Sequence, residues 1–294
     1  MKLINSAYEL AMALGLILRN EKGLINRIKL FLIYLKLAGK YHFIVKLLHI
    51  NLKKEKVFGY KIHFPYYKLF RNLVTEIFIM KEYEFRAKRI NPFILDCGSN
   101  IGMATLFFKK RYPNAKIICF EPDRDVFSYL KQNVQKNKLT KVSLNNAAVT
   151  GKGEKIRFYS NGESCGGGIT KSWVKDYANK AVEEYEVESA VLSKFVDEPV
   201  DLLKLDVESA EYSVLEELSK SQKLKMIKEI IMEYHYNPSR DIDNTGNDNS
   251  LAGILKLFEE NGFRYVISSF MRSPFAEHRG NPYLMMIYAY KEVR

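Results

Sequence analysis

The chain has 294 residues, 47% of them hydrophobic and 13% aromatic, which excludes a chain disordered throughout. Its three cysteines, Cys97, Cys119 and Cys165, show no CxxC spacing, which excludes a disulfide scaffold and points to reduced thiols in the cytoplasm. The net charge of +12 is uneven: residues 1–92 hold 18 basic and 6 acidic residues, while the remaining 202 hold 28 of each. A neutral C-terminal two thirds disfavours nucleic acid as the partner of the working face.

Residues 1–54 read as helices. The apolar run 10–18 is shorter than the ~20 residues that span a bilayer, and no small-residue cleavage site follows it. Over residues 24–52, Lys22, Lys29 and Lys36 recur every seven residues and share a helical face with Lys40 and Lys54. Such a basic amphipathic segment reads either as a helix packed on its own domain, with a solvated lysine stripe, or as one lying on an anionic membrane. Three regions follow: a basic helical extension at 1–55, a strand and helix cap at 56–92, and a catalytic domain at 93–294. The segment 56–64 alternates and predicts one strand ending at Pro65; Asn91-Pro92 is a breaker.

From Pro92 onward strands and helices alternate. Strands are predicted at Phe93–Cys97, Lys116–Phe120, 142–144, Ile156–Ser160, Val200–Leu205, 228–232, 263–268 and Tyr283–Tyr290. Helices are predicted at Met103–Arg111, 124–137, 210–219 and 250–261. The pattern predicts an α/β fold with a mostly parallel sheet flanked by helices, whose site lies at the carboxyl ends of the strands. Asp96, Glu121, Asp206 and Glu233 end four of those strands and fall there together.

The turn Asp96-Cys97-Gly98-Ser99-Asn100-Ile101-Gly102 is neither GxGxxG nor a P-loop, because Asn100 stands where a pyrophosphate-cradling glycine would be. It suits a nucleoside cofactor without phosphate. Glu121, nineteen residues beyond Gly102, is placed to accept hydrogen bonds from both ribose hydroxyls.

Four segments carry a family resemblance: Ile94 to Gly102, Phe120-Glu121-Pro122-Asp123, Asn146-Ala147-Ala148-Val149 and Asp201 to Glu211, continued by Glu233-Tyr234-His235. Together they resemble the FkbM-type S-adenosylmethionine-dependent methyltransferases over about residues 76–290. The resemblance implies a Rossmann-like class I methyltransferase sheet of seven strands, the last antiparallel. It also implies O-methylation of a sugar, glycan or polyketide-like hydroxyl. Its implied cofactor residues are Asp96, Gly98, Asn100, Gly102, Glu121, Asp123, Ala147 and Ala148. The chain departs from the family at Ser99, usually Ala, and at Ser209, usually Gly. If a positive φ is needed at 209, serine costs on the order of 1 kcal/mol.

Methyl transfer to a hydroxyl needs alignment and removal of a proton. The candidate catalytic residues are His235, read as the neutral general base, then Asp206, with Lys204 on the same strand face. Lys204 with Glu211 reads as a structural pair, and Glu208 as a helix cap. A divalent ion, Mg2+ by its oxygen-rich ligands, would be held by Asp206 with Glu233 or His235 and would lower the hydroxyl pKa. The glycine-rich loop around Cys165 reads as a lid or a hairpin turn, and Tyr83 as a cover for the cofactor or a core aromatic. Two other functions compete: an RNA ribose 2′-O-methyltransferase, suggested by Lys204, Asp206 and the basic N-terminus, and a non-catalytic membrane-associated scaffold. The expected location is the cytoplasm, peripheral to the inner face of the membrane through residues 1–55.

Overall fold

A computed structural model describes residues 2–160, 167–168, 182–236, 250–268 and 283–292. The loop around Cys165 lies outside the described residues. Two helices, α1 (Lys2–Asn20) and α2 (Leu24–Lys40), lead into a π-helical turn at Tyr41–Leu47. The predicted single strand at 56–64 is instead a hairpin, β1 (Lys54–Val57) and β2 (Tyr60–His63), because the turn at Phe58-Gly59 takes positive φ at both positions. Helix α3 (Tyr67–Val74) continues as a π-helix through Met80, within a region whose sequence pattern was mixed.

The lysine periodicity resolves differently from its expectation. Lys36 and Lys40 reach the buried Glu55 of β1 at 2.9 and 2.7 Å, and Lys54 lies in β1 rather than on a helix. The buried face of α2 carries Tyr34 and Leu37. Ala13, Ile17 and Tyr34 pack with Ile79, and Leu37 joins a larger core with Val57 and Ile62.

The main sheet comprises β3 (Phe93–Cys97), β4 (Lys116–Phe120), β5 (Val142–Asn145), β11 (Val200–Leu205), β12 (Ile227–Tyr236), β13 (Arg264–Ser268) and β14 (Tyr283–Tyr290). Its order is β13-β14-β12-β11-β3-β4-β5, parallel except for β14, which runs antiparallel to both neighbours. This is the expected seven-stranded arrangement. Strands β3 and β11 are buried at every position and are nearly continuous apolar runs, as strands covered on both faces require. The covering helices are α4 (Met103–Arg111), α5 (Arg124–Lys136), α6 (Glu211–Lys220) and α7 (Leu251–Glu260). Asp123 starts α5 by accepting hydrogen bonds from the Asp125 and Val126 amides, and Val126, Leu130 and Val134 bury one face. Beside the main sheet, β6 (Ala148–Thr150) pairs with β10 (Ser189–Val191). Strand β7 (Ile156–Ser160) pairs with β8 (Gly167–Gly168) and β9 (Glu183–Val187).

The strand β12 is longer than expected. It runs through Tyr236 because β14 pairs with it from Glu229 to Tyr236, so Glu233 and His235 lie within the sheet, opposite Met286 and Leu284.

Candidate active site

The carboxyl end of β3 turns sharply at Gly98, whose φ is 79°. The Gly98 and Ser99 amides both donate to the Phe120 carbonyl of β4, and the Asp206 amide donates to the Cys97 carbonyl. Three strand ends are thereby tied together around the loop 98–102. Gly102, at φ 88°, opens α4 against Leu130, where a β-carbon would meet the leucine side chain at 2.8 Å.

Glu121 organises the far side. Its two carboxylate oxygens accept from the Asn100 amide at 2.8 Å and the Asp123 amide at 2.9 Å. Burial raises its pKa to about 8, against the opposing pull of the hydrogen bond from the Asp123 amide. Asp123 is turned by its capping role and also accepts from the Ser160 hydroxyl at 2.8 Å. Gly98, Asn100, Glu121, Asp123, Ala147, Ala148 and Asp206 line one cleft together. Asp96 and Gly102 lie behind it: Asp96 is fully buried and accepts from the Thr105 hydroxyl at 2.7 Å. Phe158, Val149 and Val207 also line the cleft, positions without any polar signature in the sequence.

Lys204 is 2% exposed. Its ammonium contacts the carbonyls of Cys97 and Gly98, at 3.3 and 2.5 Å, and the Asp206 carboxylate at 2.9 Å; Asp96 lies 3.8 Å away. Burial opposes its charge, but Asp206 and Asp96 more than compensate and raise its pKa. The expected Lys204–Glu211 pair does not form. Glu211 begins α6 and turns to His235, whose Nδ1 lies 2.8 Å from it. Glu208 does not act only as a helix cap, because its carboxylate lies 3.1 Å from His235 Nε2.

His235 is therefore engaged at both ring nitrogens. Burial alone would lower its pKa; Glu208 and Glu211 reverse that and hold it well above the usual histidine value. His235 does not line the cofactor cleft, and both its ring nitrogens face carboxylates, an arrangement unlike that of a base turned to an acceptor. Asp206, Glu208 and His235 bring ligand-type atoms within 4.8 Å of one another, and Glu233 does not join them. Ser209 has φ 84°, so the left-handed conformation that favours glycine is retained here by serine.

A second cavity, of about 190 Å³, opens on the other side of Asp206. Glu76, Glu82, Tyr83, Asp206 and Glu233 line it with Leu73, Ile77, Leu284, Met285 and Met286. Tyr83 thus belongs to this cavity rather than covering the cofactor cleft, and the Lys204 ammonium lies 5.2 Å from its ring centroid. Glu82 is raised to about 8 by burial and by Glu76 and Asp206. Glu233 is held well above the usual range by burial and by Asp206. Glu76 and Glu82 were not among the sequence candidates; they sit upstream of every motif, and only the fold brings them to the strand ends.

Residues 96–265 match the family model described as the methyltransferase FkbM domain. The chain belongs to the FkbM methyltransferase family. It is an S-adenosylmethionine-dependent methyltransferase. It is similar to Methyltransferase 1 of Beauveria bassiana, 29% identical over 210 residues, covering 65% of this chain and 80% of that protein. It is also similar to Methyltransferase sdnD of Sordaria araneosa, 29% identical over 190 residues, covering 55% and 73% respectively. Among solved structures, an FkbM methyltransferase from Methylobacillus flagellatus aligns at 10% identity with a TM-score of 0.47, covering 95% of this chain and 58% of that one.

The cleft of this FkbM methyltransferase fits a nucleoside sulfonium. Its turn lacks a phosphate cradle, two alanines supply a flat apolar wall, and Glu121 presents carboxylate oxygens beside it. Ionised Glu121 is the better acceptor for ribose hydroxyls and the better counter-charge for a cation. Because its pKa lies near 8, S-adenosylmethionine affinity is expected to rise several-fold as pH increases from about 6 to 8. Calorimetric titration across that range, with Glu121→Gln as the reference, checks this; an equal pH slope in the two proteins would contradict it.

Proposed function

We propose that this methyltransferase transfers a methyl group to a hydroxyl of a neutral polyol, a sugar, glycan or polyketide-like small molecule, with Asp206 receiving the hydroxyl proton. One observation carries this reading: Asp206 lines both the cofactor cleft and the second cavity, and so stands where donor and acceptor would meet. S-adenosylmethionine, when bound, supplies an electrophilic methyl group. Glu121 and the Gly98 loop hold its nucleoside end, and the Lys204 ammonium fixes the Asp206 carboxylate in place. The role of Asp206 is to orient the acceptor oxygen and take its proton as that oxygen attacks.

The chemistry of the second cavity supports a neutral acceptor. Glu82, raised to about 8, carries a proton near neutral pH, and Glu233 is shifted in the same direction, so the cavity offers a carboxyl that donates as well as accepts, which suits hydroxyl groups. The cavity lining includes four carboxyl side chains and no Lys or Arg to pair with a phosphodiester, which disfavours the RNA ribose alternative despite the basic N-terminus. Glycan assembly at the cytoplasmic side of a membrane is the setting that this reading suggests.

A second reading adds Mg2+ at Asp206, Glu208 and His235, where donor atoms converge. Magnesium favours oxygen ligands in octahedral geometry. Here one of the three converging donors is an imidazole nitrogen, so the set suits the ion less well than an all-oxygen site would.

Three measurements test these readings. Release of S-adenosylhomocysteine is followed with a panel of neutral saccharides, macrolide polyols and short RNAs. Turnover on a neutral acceptor is expected, and methylation of RNA alone would overturn the proposal. Activity is expected to persist in excess EDTA; loss that Mg2+ restores would install the metal. Asp206→Asn is expected to lower kcat by about 10²–10⁴-fold, the usual contribution of a positioned base.

A further inference from the structure

We infer that the N-terminal helices dock on an anionic membrane surface through an apolar stripe of α2, independently of which acceptor is methylated. Of the 16 large hydrophobic side chains exposed among the described residues, 12 lie between residues 12 and 50. Five of these, Leu24, Ile25, Ile28, Leu32 and Leu35, are 39 to 72% exposed and lie on α2. At 3.6 residues per turn they fall within an arc of about 100°, directly opposite the buried Tyr34 and Leu37. Lys29 borders one edge of that arc, next to Lys36, whose ammonium is held by Glu55. Helix α2 thus carries two apolar faces, one spent on packing and one presented outward.

The charge selects the occupant. The excess of basic residues falls entirely within residues 1–92, and the rest of the chain is neutral. An apolar stripe edged by lysines matches the boundary of an anionic bilayer, where apolar side chains enter the acyl region and ammonium groups reach lipid phosphates. A second copy of this chain would instead bring two strongly basic regions together. Nucleic acid offers nothing for five exposed aliphatic side chains to enter. No described helix is long and apolar enough to cross a membrane, so α2 lies along the surface rather than spanning it. Its inner face is anchored to the core through Leu37 and through the Lys36 and Lys40 bridges to Glu55, so docking would fix the orientation of the catalytic domain.

The test is co-sedimentation of the full chain with vesicles of phosphatidylcholine alone or phosphatidylcholine with phosphatidylglycerol. Ile28→Asp/Leu32→Asp and Lys29→Glu serve as variants. All three residues are exposed and none lines the cofactor cleft, so unchanged circular dichroism and S-adenosylmethionine binding control for folding. Binding to the anionic vesicles is expected, at least tenfold weaker in the double aspartate variant, weaker in Lys29→Glu and reduced by salt. Several results would overturn the inference: no anionic binding at low salt, equal binding to neutral vesicles, equal binding by the aspartate variant, or a wild-type dimer in solution that this variant abolishes.

Discussion

Gly98→Ala is expected to lower S-adenosylmethionine affinity at least 100-fold and to destabilise the fold by more than the φ penalty alone. Two separate costs meet at this residue. Its φ of 79° lies in the left-handed region, which costs a non-glycine residue about 1 kcal/mol. In addition, a β-carbon would overlap the carbonyl oxygen of Asp206. That oxygen is backbone, and the adjacent Asp206 amide is itself bonded to Cys97 at 3.1 Å, so it has nowhere to retreat. The loops after β3 and β11 must separate, which displaces Asp206 from the junction of the two cavities. Gly59 supplies the control, having φ 90° with nothing within 4 Å of a β-carbon. Gly59→Ala should cost only the conformational term, about 1 kcal/mol, with cofactor binding intact. Thermal unfolding and calorimetry on the two variants separate the contributions. Equal effects would mean that the close approach of the two loops is unimportant.

The legible parts of this molecule are those in which local pattern and tertiary role agree. The bounds of β3, β4, α4 and β11 follow from apolar runs closed by polar or proline residues, and the observed elements match them. The family resemblance rested on the same segments. The misread features depend on contacts between elements distant in sequence. Strand β12 was expected to stop at a charged residue, yet pairing with β14, some fifty residues later, carries it past Glu233 to Tyr236. That extension places His235 in the sheet between Glu208 and Glu211, with each ring nitrogen facing a carboxylate. In the sequence Lys204 and Glu211 read as a structural pair. The turn at Glu208 and Ser209, both at positive φ, instead sends Glu211 toward β12 and leaves Lys204 with β3. Glu76 and Glu82 had no signal at all, because a carboxylate on an upstream helix becomes informative only once the sheet is assembled beside it.

Lys204→Met is expected to destabilise the protein by about 3–5 kcal/mol near neutral pH, with a deficit that shrinks as pH falls. Methionine keeps the length and apolar character of the stem, so the change isolates the ammonium. Without it Asp96 is left fully buried, with one carboxylate oxygen that faces Lys204 and accepts no hydrogen bond. Burial already raises the Asp96 pKa, and Lys204 is the main influence holding it down. Removing Lys204 lets that pKa climb further. A carboxyl raised in the folded state contributes its full stability below its unfolded pKa and loses it as pH rises through the folded value. The penalty of Lys204→Met should therefore be small near pH 4 and grow toward pH 8, where the uncompensated charge must be buried. Denaturant unfolding across that range measures it, and a penalty independent of pH would refute the electrostatic account. Asp206→Asn added to Lys204→Met should recover part of the loss, since it removes the second carboxylate beside the vacated position. Cofactor binding should not recover in the double variant. The same ammonium also holds the carbonyls of Cys97 and Gly98, and neither replacement restores that grip on the loop.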